Sequence, residues 1–263
     1  MRKRFSGCRG FCGKVRRVTA ATETLRIATY NIHKGVQGIG PRRRLEIHNI
    51  GHAVEQLDAD IVCLQEVRKV HRLQEQYFTR WPELPQADFL APEGYEAVYR
   101  TNAVTRHGEH GNALLSRWPV LSHWHEDMSD HRFEQRGLLH VEVLIHGRPL
   151  HVIVIHFGLI PASRLRQAAH LGRYIAREVP PDAPVVVAGD FNDWGNRVMQ
   201  AMNANGLHSA DTVRCPTYPS RLPVVQLDHV YARGLQPAHL HVPRGRIWSQ
   251  MSDHLPLIAD FRF

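Results

Sequence analysis

The sequence has no apolar run able to cross a bilayer. Its longest, around Pro184–Ala188 and Val152–Ile155, fall far short of the ~20 residues that a spanning helix needs. Cysteine is scarce: Cys8, Cys12, Cys63 and Cys215 are too scattered to make a zinc signature or a disulfide framework. Cys63, inside Ile61-Val62-Cys63-Leu64, reads as a small buried hydrophobe. Reduced thiols and a cytoplasmic setting are the expectation. No HExxH, no P-loop and no GxSxG elbow occurs, so serine hydrolysis has no positive support. Acidic residues are missing from the first 22 positions.

That stretch carries Arg2, Lys3, Arg4, Arg9, Lys14, Arg16 and Arg17. The other residues hold 26 basic against 25 acidic side chains, so the net charge of +8 belongs mostly to the tail. No apolar h-region follows these cations, so a secretory signal is not expected here. Residues 1–22 read first as a solvated, disordered leader. Such a segment can also touch nucleic acid, or anionic lipid at the inner membrane surface. With 263 residues, 43 % of them hydrophobic, the chain can build a core without disulfides.

Residues 23–263 read as one α/β domain with a mixed sheet. Leu25–Tyr30, Asp60–Gln65, Asn112–Leu115, Leu138–Ile145, Leu150–His156, Val185–Ala188, Leu227–Tyr231 and Leu257–Phe263 read as strands. The turn at His146-Gly147-Arg148-Pro149 makes a hairpin. Ile47, Ile50, Val54 and Leu57 mark one helix face. Ser163 is the expected N-cap of a second helix, which Pro180-Pro181 ends. A short helix closed by Asn205-Gly206 follows the Val185 strand. Residues 74–100 read as irregular, and their aromatics can form either a substrate wall, which the segment's length favours, or a satellite core.

Polar residues recur where apolar strands end. Asn31, Glu66, His156, and Asp190 with Asn192 each follow such a strand. Asp228 follows Val224-Val225-Gln226-Leu227, and Asp253-His254 precede the last strand. A single Asp in such a place is more often a helix cap than a catalyst. Six such ends together are the ingredients of a metal-assisted hydrolase: carboxylates for a hard cation, a His beside an Asp for proton transfer, and amides for an oxyanion.

The stretches RIATYNIHKG (26–35), DIVCLQEV (60–67), GNALLSRWPV (111–120), RGLLHVEV (136–143), VIHFGL (154–159), VVVAGDFND (185–193), LDHVYARG (227–234) and SDHLPLIADF (252–261) occur in a telling order. By them the chain resembles the endonuclease/exonuclease/phosphatase superfamily of DNase-I-like phosphoesterases, in a compact bacterial form. The resemblance implies a four-layer α/β sandwich, with two packed mixed β-sheets flanked by helices. It implies Mg²⁺, with Mn²⁺ as a substitute, held by Glu66 and Asp253 with Asn31 nearby. It implies that Asp228 orients His254, and that Asp190, with Asn192, positions or activates water or helps protonate the leaving group. His156 would contact phosphate oxygens. Arg136 would touch substrate or brace a loop, and Asn112 likewise.

The resemblance is not uniform. His33 stands where abasic-site endonucleases tend to be acidic, and GDFN replaces the GDLN common there. Both weaken a DNA-repair reading. The expected function is hydrolysis of a phosphodiester or phosphomonoester, with lipid headgroups or small phosphoesters ahead of DNA or RNA cleavage. A non-catalytic binding module is a minor alternative. The first Ser-Asp-His, at 129–131, reads as a loop. His123/His125, in a stretch without the strand context of a di-zinc box, His107/His110 and His239/His241 read as surface histidines.

Overall fold

The computed structural model describes residues 24–210 and 214–262. The basic leader, with Cys8 and Cys12, lies outside the described residues. The first half runs β1 (Thr24–Asn31), a short hairpin β2 (Val36–Gln37) and β3 (Arg44–Leu45), α1 (Ile47–Leu57) and β4 (Ile61–Val67). Then come α2 (Arg72–Tyr77), α3 (Gln86–Leu90), β5 (Glu96–Thr105), β6 (Gly108–Ser116) and β7 (Val120–Asp127). The second half runs β8 (Gly137–Ile145), β9 (Arg148–His156), α4 (Pro161–Glu178), β10 (Val185–Asp190) and α5 (Arg197–Ala204). It closes with β11 (His208–Ser209), β12 (Asp228–Arg233), β13 (Gln236–His241), α6 (Trp248–Met251) and β14 (Leu257–Arg262).

Two six-stranded mixed sheets result. Sheet I has the order β13-β14-β1-β4-β6-β5, and sheet II the order β11-β12-β10-β9-β8-β7. Alternation explains why their strands read as unbroken apolar runs. On β10, Val186 and Ala188 face the core between the sheets, while Val185 and Val187 face helices α4 and α5. On β1 and β4, Ile27, Ile61 and Cys63 point inward, while Ala28, Tyr30, Val62 and Leu64 meet α1 on the outside. A strand covered on both faces has no polar side to show.

β1 runs parallel to β4, and β9 parallel to β10. The C-terminal ends of these four strands therefore share one edge of the molecule. β14 and β12, antiparallel to their neighbours, begin at that edge. Every polar strand end noted in the sequence lies there.

Some expectations need correction. Segment 74–100 is not irregular, since it holds most of α2, all of α3 and the start of β5. Phe89, Tyr95 and Tyr99 pack against the α1 cluster, so they are satellite core rather than a substrate wall. Ser163 does not cap α4: Ile160 takes that place with Pro161 at the first helical position, and Ser163 Oγ donates to Asp130 over 2.6 Å. Proline suits that position because its missing N–H would have had no intrahelical partner. Asp130 also takes Arg166, so the first Ser-Asp-His is a structural clamp. His123 and His125 do lie on a strand, the edge strand β7.

Candidate functional site

The register of sheet II aligns three candidate residues. Asp190 pairs with His156 on β9 and with Asp228 on β12, so the three stand side by side at the strand ends. Gly189 lets β10 approach β9 here. Its φ is +155°, and a Cβ would meet the carbonyl oxygen of Ile155 at 1.9 Å. Beyond it, Asn192 takes a left-handed φ of 50°, donates its side-chain amide to Phe157 O (3.0 Å) and its backbone N–H to Asp190 Oδ1 (2.9 Å). Asp193 is the helix-capping kind of Asp: it accepts from the N–H groups of Val198 and Met199. Asp190 has no such duty.

Sheet I supplies the other half. Asn31 donates to Asp190 Oδ2 over 3.1 Å, across the seam between the sheets. His254, buried beside β14, reaches the same seam. Its Nδ1 lies 2.8 Å from Asp228 Oδ2, and its Nε2 lies 3.6 Å from Asp190 Oδ2. His156 Nε2 stands 3.4 Å from that same oxygen. The Tyr218 ring, from the 216–219 loop, covers His254 with centroids 4.9 Å apart.

Electrostatics follow from burial and proximity. Burial pushes Asp190 above the usual carboxylate range, with His254 opposing and Asp228 adding to the rise. Burial alone would lower His254, but the carboxylates of Asp228 and Asp190 outweigh it and hold the imidazole charged. His156 is driven well below its ordinary value by burial and by the Arg136 guanidinium. It is therefore neutral at physiological pH.

Glu66 sits on a break in the β4–β6 ladder, where the register shifts between Leu64 and Val67, with φ of 57°. Bulges of this kind re-aim a side chain. Here the result is a buried carboxylate facing the site. Its Oε2 accepts no aligned hydrogen bond, although Lys34 Nζ stands 2.8 Å away. Asp253 Oδ1 lies 2.8 Å from His33 Nδ1. Both carboxylates are held below the usual range: burial opposes this, but the Lys34 ammonium and His33 overcome it at Glu66, and His33 at Asp253.

The donors fit a hard divalent cation. Glu66, Asp253 and Asn31 offer oxygen, two of them as anions, and Glu66 holds a buried oxygen without an aligned hydrogen bond. Asp190, Asp228 and His254 also bring ligand atoms within 4.8 Å of one another. In that trio both imidazole nitrogens already face carboxylates, an arrangement suited to passing protons.

For Asn112 and Arg136, where the sequence leaves substrate contact and bracing both open, the structure shows bracing contacts. Asn112 is fully buried and donates to Gly137 O (3.0 Å) and Val154 O (3.1 Å), bridging sheet I to sheet II. Arg136 donates to Phe157 O (3.2 Å) and pairs with Glu134 (2.9 Å), bracing the loop after His156. Sequence reasoning missed Lys34 and His110. Lys34 was visible in the NIHKG stretch, directly after the noted His33. His110 is no surface residue: it is half-buried near Lys34, Glu66 and Arg136, and burial with Lys34 pulls it down to about 4. His239 and His241 stay outside the site, on the edge strand β13, with Asp260 close by.

A sequence model of the Endonuclease/Exonuclease/phosphatase family matches residues 28–254. The chain is 34 % identical to the uncharacterized protein YbhP of Escherichia coli over 245 residues, covering 90 % of this chain and 96 % of that one. Its fold resembles that of an endonuclease/exonuclease/phosphatase from Bacteroides vulgatus (TM-score 0.71, 19 % identity, 91 % and 98 % of the two chains). It also resembles that of a mannosyl-6-phosphatase from Bacteroides thetaiotaomicron (TM-score 0.68, 17 % identity, 91 % and 100 %). The chain belongs to the endonuclease/exonuclease/phosphatase family, a family of phosphoric ester hydrolases.

Proposed function

We propose that this protein is a Mg²⁺-dependent phosphoesterase that cleaves a phosphodiester or phosphomonoester of a lipid headgroup or small molecule by in-line attack of water. The observation that carries this reading is the buried row His156–Asp190–Asp228, joined by His254 and lying beside the anionic pair Glu66 and Asp253.

Each group has a task that follows from its setting. Glu66, Asp253 and Asn31 would hold the cation, which when bound offsets negative charge on the phosphate oxygens. Asp190, with its raised proton affinity, takes a proton from the attacking water. Asp228 fixes the tautomer and tilt of His254, leaving the charged imidazole aimed at the seam, where negative charge develops. His156, kept neutral, and the Asn192 amide offer hydrogen bonds to non-bridging oxygens. The labour divides largely by sheet: sheet I brings the cation-holding groups and His254, and sheet II brings Asp190, Asp228, His156 and Asn192.

The test is a hydrolysis panel on purified protein with Mg²⁺, with Asp190→Asn beside it. Plasmid and single-stranded DNA, phospholipid vesicles and a soluble phosphodiester would be compared. Turnover of lipid or the soluble diester that the variant lacks supports the reading. Cleavage confined to DNA would replace it with a nuclease, and no turnover of any substrate would remove it.

A further inference from the structure

Three loops beside Asp253 carry arginine and no acidic residue: 36–45, 214–227 and 242–252. The first holds Arg42, Arg43 and Arg44, the second Arg214 and Arg221, the third Arg244 and Arg246. They form one surface. Residues of the β2–β3 hairpin and Arg221 line a single open cleft of about 930 Å³. Ser220 Oγ donates to Ser249 O (3.2 Å) and Ser252 O (2.7 Å), α6 packs on β2, and Arg244 reaches Pro216 O at 3.5 Å. The surface adjoins the site: the backbone N–H of Ser220 donates to Asp253 O over 2.7 Å. Arg44 is partly offset by Glu46, and Arg43 lies over the Tyr77 ring. Arg42, Arg214, Arg221, Arg244 and Arg246 are exposed.

Each loop also presents a bare aliphatic side chain. Ile39 is 90 % exposed, and Leu222 and Ile247 are each 72 % exposed. Ile39 is the most exposed of the 16 large hydrophobics exposed among the described residues, and Val224, in the second loop, is also exposed. Monomers seldom cluster apolar side chains at one end without a partner for them.

We propose that this rim docks on the surface of an anionic phospholipid bilayer and brings the site to the lipid headgroups. Arginines suit headgroup phosphates, and the aliphatic tips suit the boundary where acyl chains begin. A nucleic-acid backbone would satisfy the arginines but leave Ile39, Leu222 and Ile247 against phosphate and water. The proposal rests on the phosphoesterase reading for its purpose, but the docking itself needs no turnover.

The experiment is vesicle cosedimentation of the full chain in EDTA. Vesicles of phosphatidylcholine alone are compared with vesicles of phosphatidylcholine mixed with phosphatidylglycerol. Two triple variants accompany the parent: Arg42→Ala/Arg221→Ala/Arg246→Ala, and Ile39→Ser/Leu222→Ser/Ile247→Ser. The basic leader is common to all, so differences report the rim. The parent is expected to partition onto the mixed vesicles, and each variant to bind them at least about tenfold more weakly. Both variants should keep the parent's rate on a soluble phosphodiester with Mg²⁺, which shows that they are folded. Equal partitioning of parent and variants would overturn the proposal. So would loss of plasmid binding in the variants with vesicle binding unchanged, which would assign the rim to nucleic acid. If the parent hydrolyses neither the lipid nor the soluble diester with Mg²⁺, the phosphoesterase reading fails, while the vesicle comparison still decides the docking.

Discussion

Asn31 ends a strand of one sheet and Asp190 ends a strand of the other, and the Asn31 amide donates to Asp190 Oδ2 over 3.1 Å. The bond closes the seam at which the candidate site is built. It also leaves Asp190 with fixed oxygens, one on Asn31 and one on the Asn192 N–H.

Replacing Asp190 by Asn should therefore remove the proton acceptor while keeping shape. Turnover is expected to fall by about 10³. The far-ultraviolet circular dichroism spectrum should match the parent's, and unchanged turnover would take Asp190 out of the mechanism.

Chelation should be as damaging as that substitution. EDTA is expected to abolish hydrolysis, and Mg²⁺ or Mn²⁺ to restore it. Glu66→Gln should weaken metal binding at least about tenfold, read directly by calorimetric titration with Mn²⁺. Full activity in EDTA would sink the metal assignment.

Gly189 allows no side chain, because a Cβ would collide with the Ile155 carbonyl. Gly189→Ala should cost about 2–4 kcal/mol of unfolding free energy in urea titration, by forcing apart the strands that carry His156 and Asp190. A parent-like midpoint would contradict this geometry.

A pH effect on stability should arise far from the site. His140 is buried, hydrogen-bonded to Tyr174 and His151, and pushed down to about 4 by burial, with His151 adding to the fall. Unfolded, it titrates near its ordinary value of 6.5. Between these values the unfolded chain binds the extra proton, so stability is fully present above pH ~6.5 and drains away as pH falls toward ~4. The loss is on the order of 2–3 kcal/mol. His140→Gln should flatten the melting temperature between pH 7 and 5 relative to the parent, and an equally steep profile would refute the assignment.

Much of this was legible in the chain. The buried faces of α1 follow directly from Ile47, Ile50, Val54 and Leu57. The strand-end positions of Asn31, His156, Asp190 and Asp228 follow from the apolar runs before them. Other features depend on the fold. Asn112 resembles a site residue in sequence, and only the inter-sheet distance shows that its amide is spent on two carbonyls. Ser163 has the right chemistry for a cap, but Asp130, 33 residues earlier, claims its hydroxyl. The aim of Glu66 could not be read from period-2 alternation, because the register shift at that point interrupts the period. The pairing of Lys34 with Glu66 is likewise a matter of how the turn after β1 folds back.

The division of labour between the sheets bears on how the chain matures. Sheet I without sheet II would hold the cation-holding carboxylates, yet it would have no Asp190 to receive a proton. Sheet II alone would have the acceptor and no Glu66 or Asp253. On the proposed roles, a chain with only one sheet folded would lack either the cation site or the proton acceptor, and hydrolysis would require both sheets. The seam would then act as a safety interlock, withholding hydrolysis until both sheets have met.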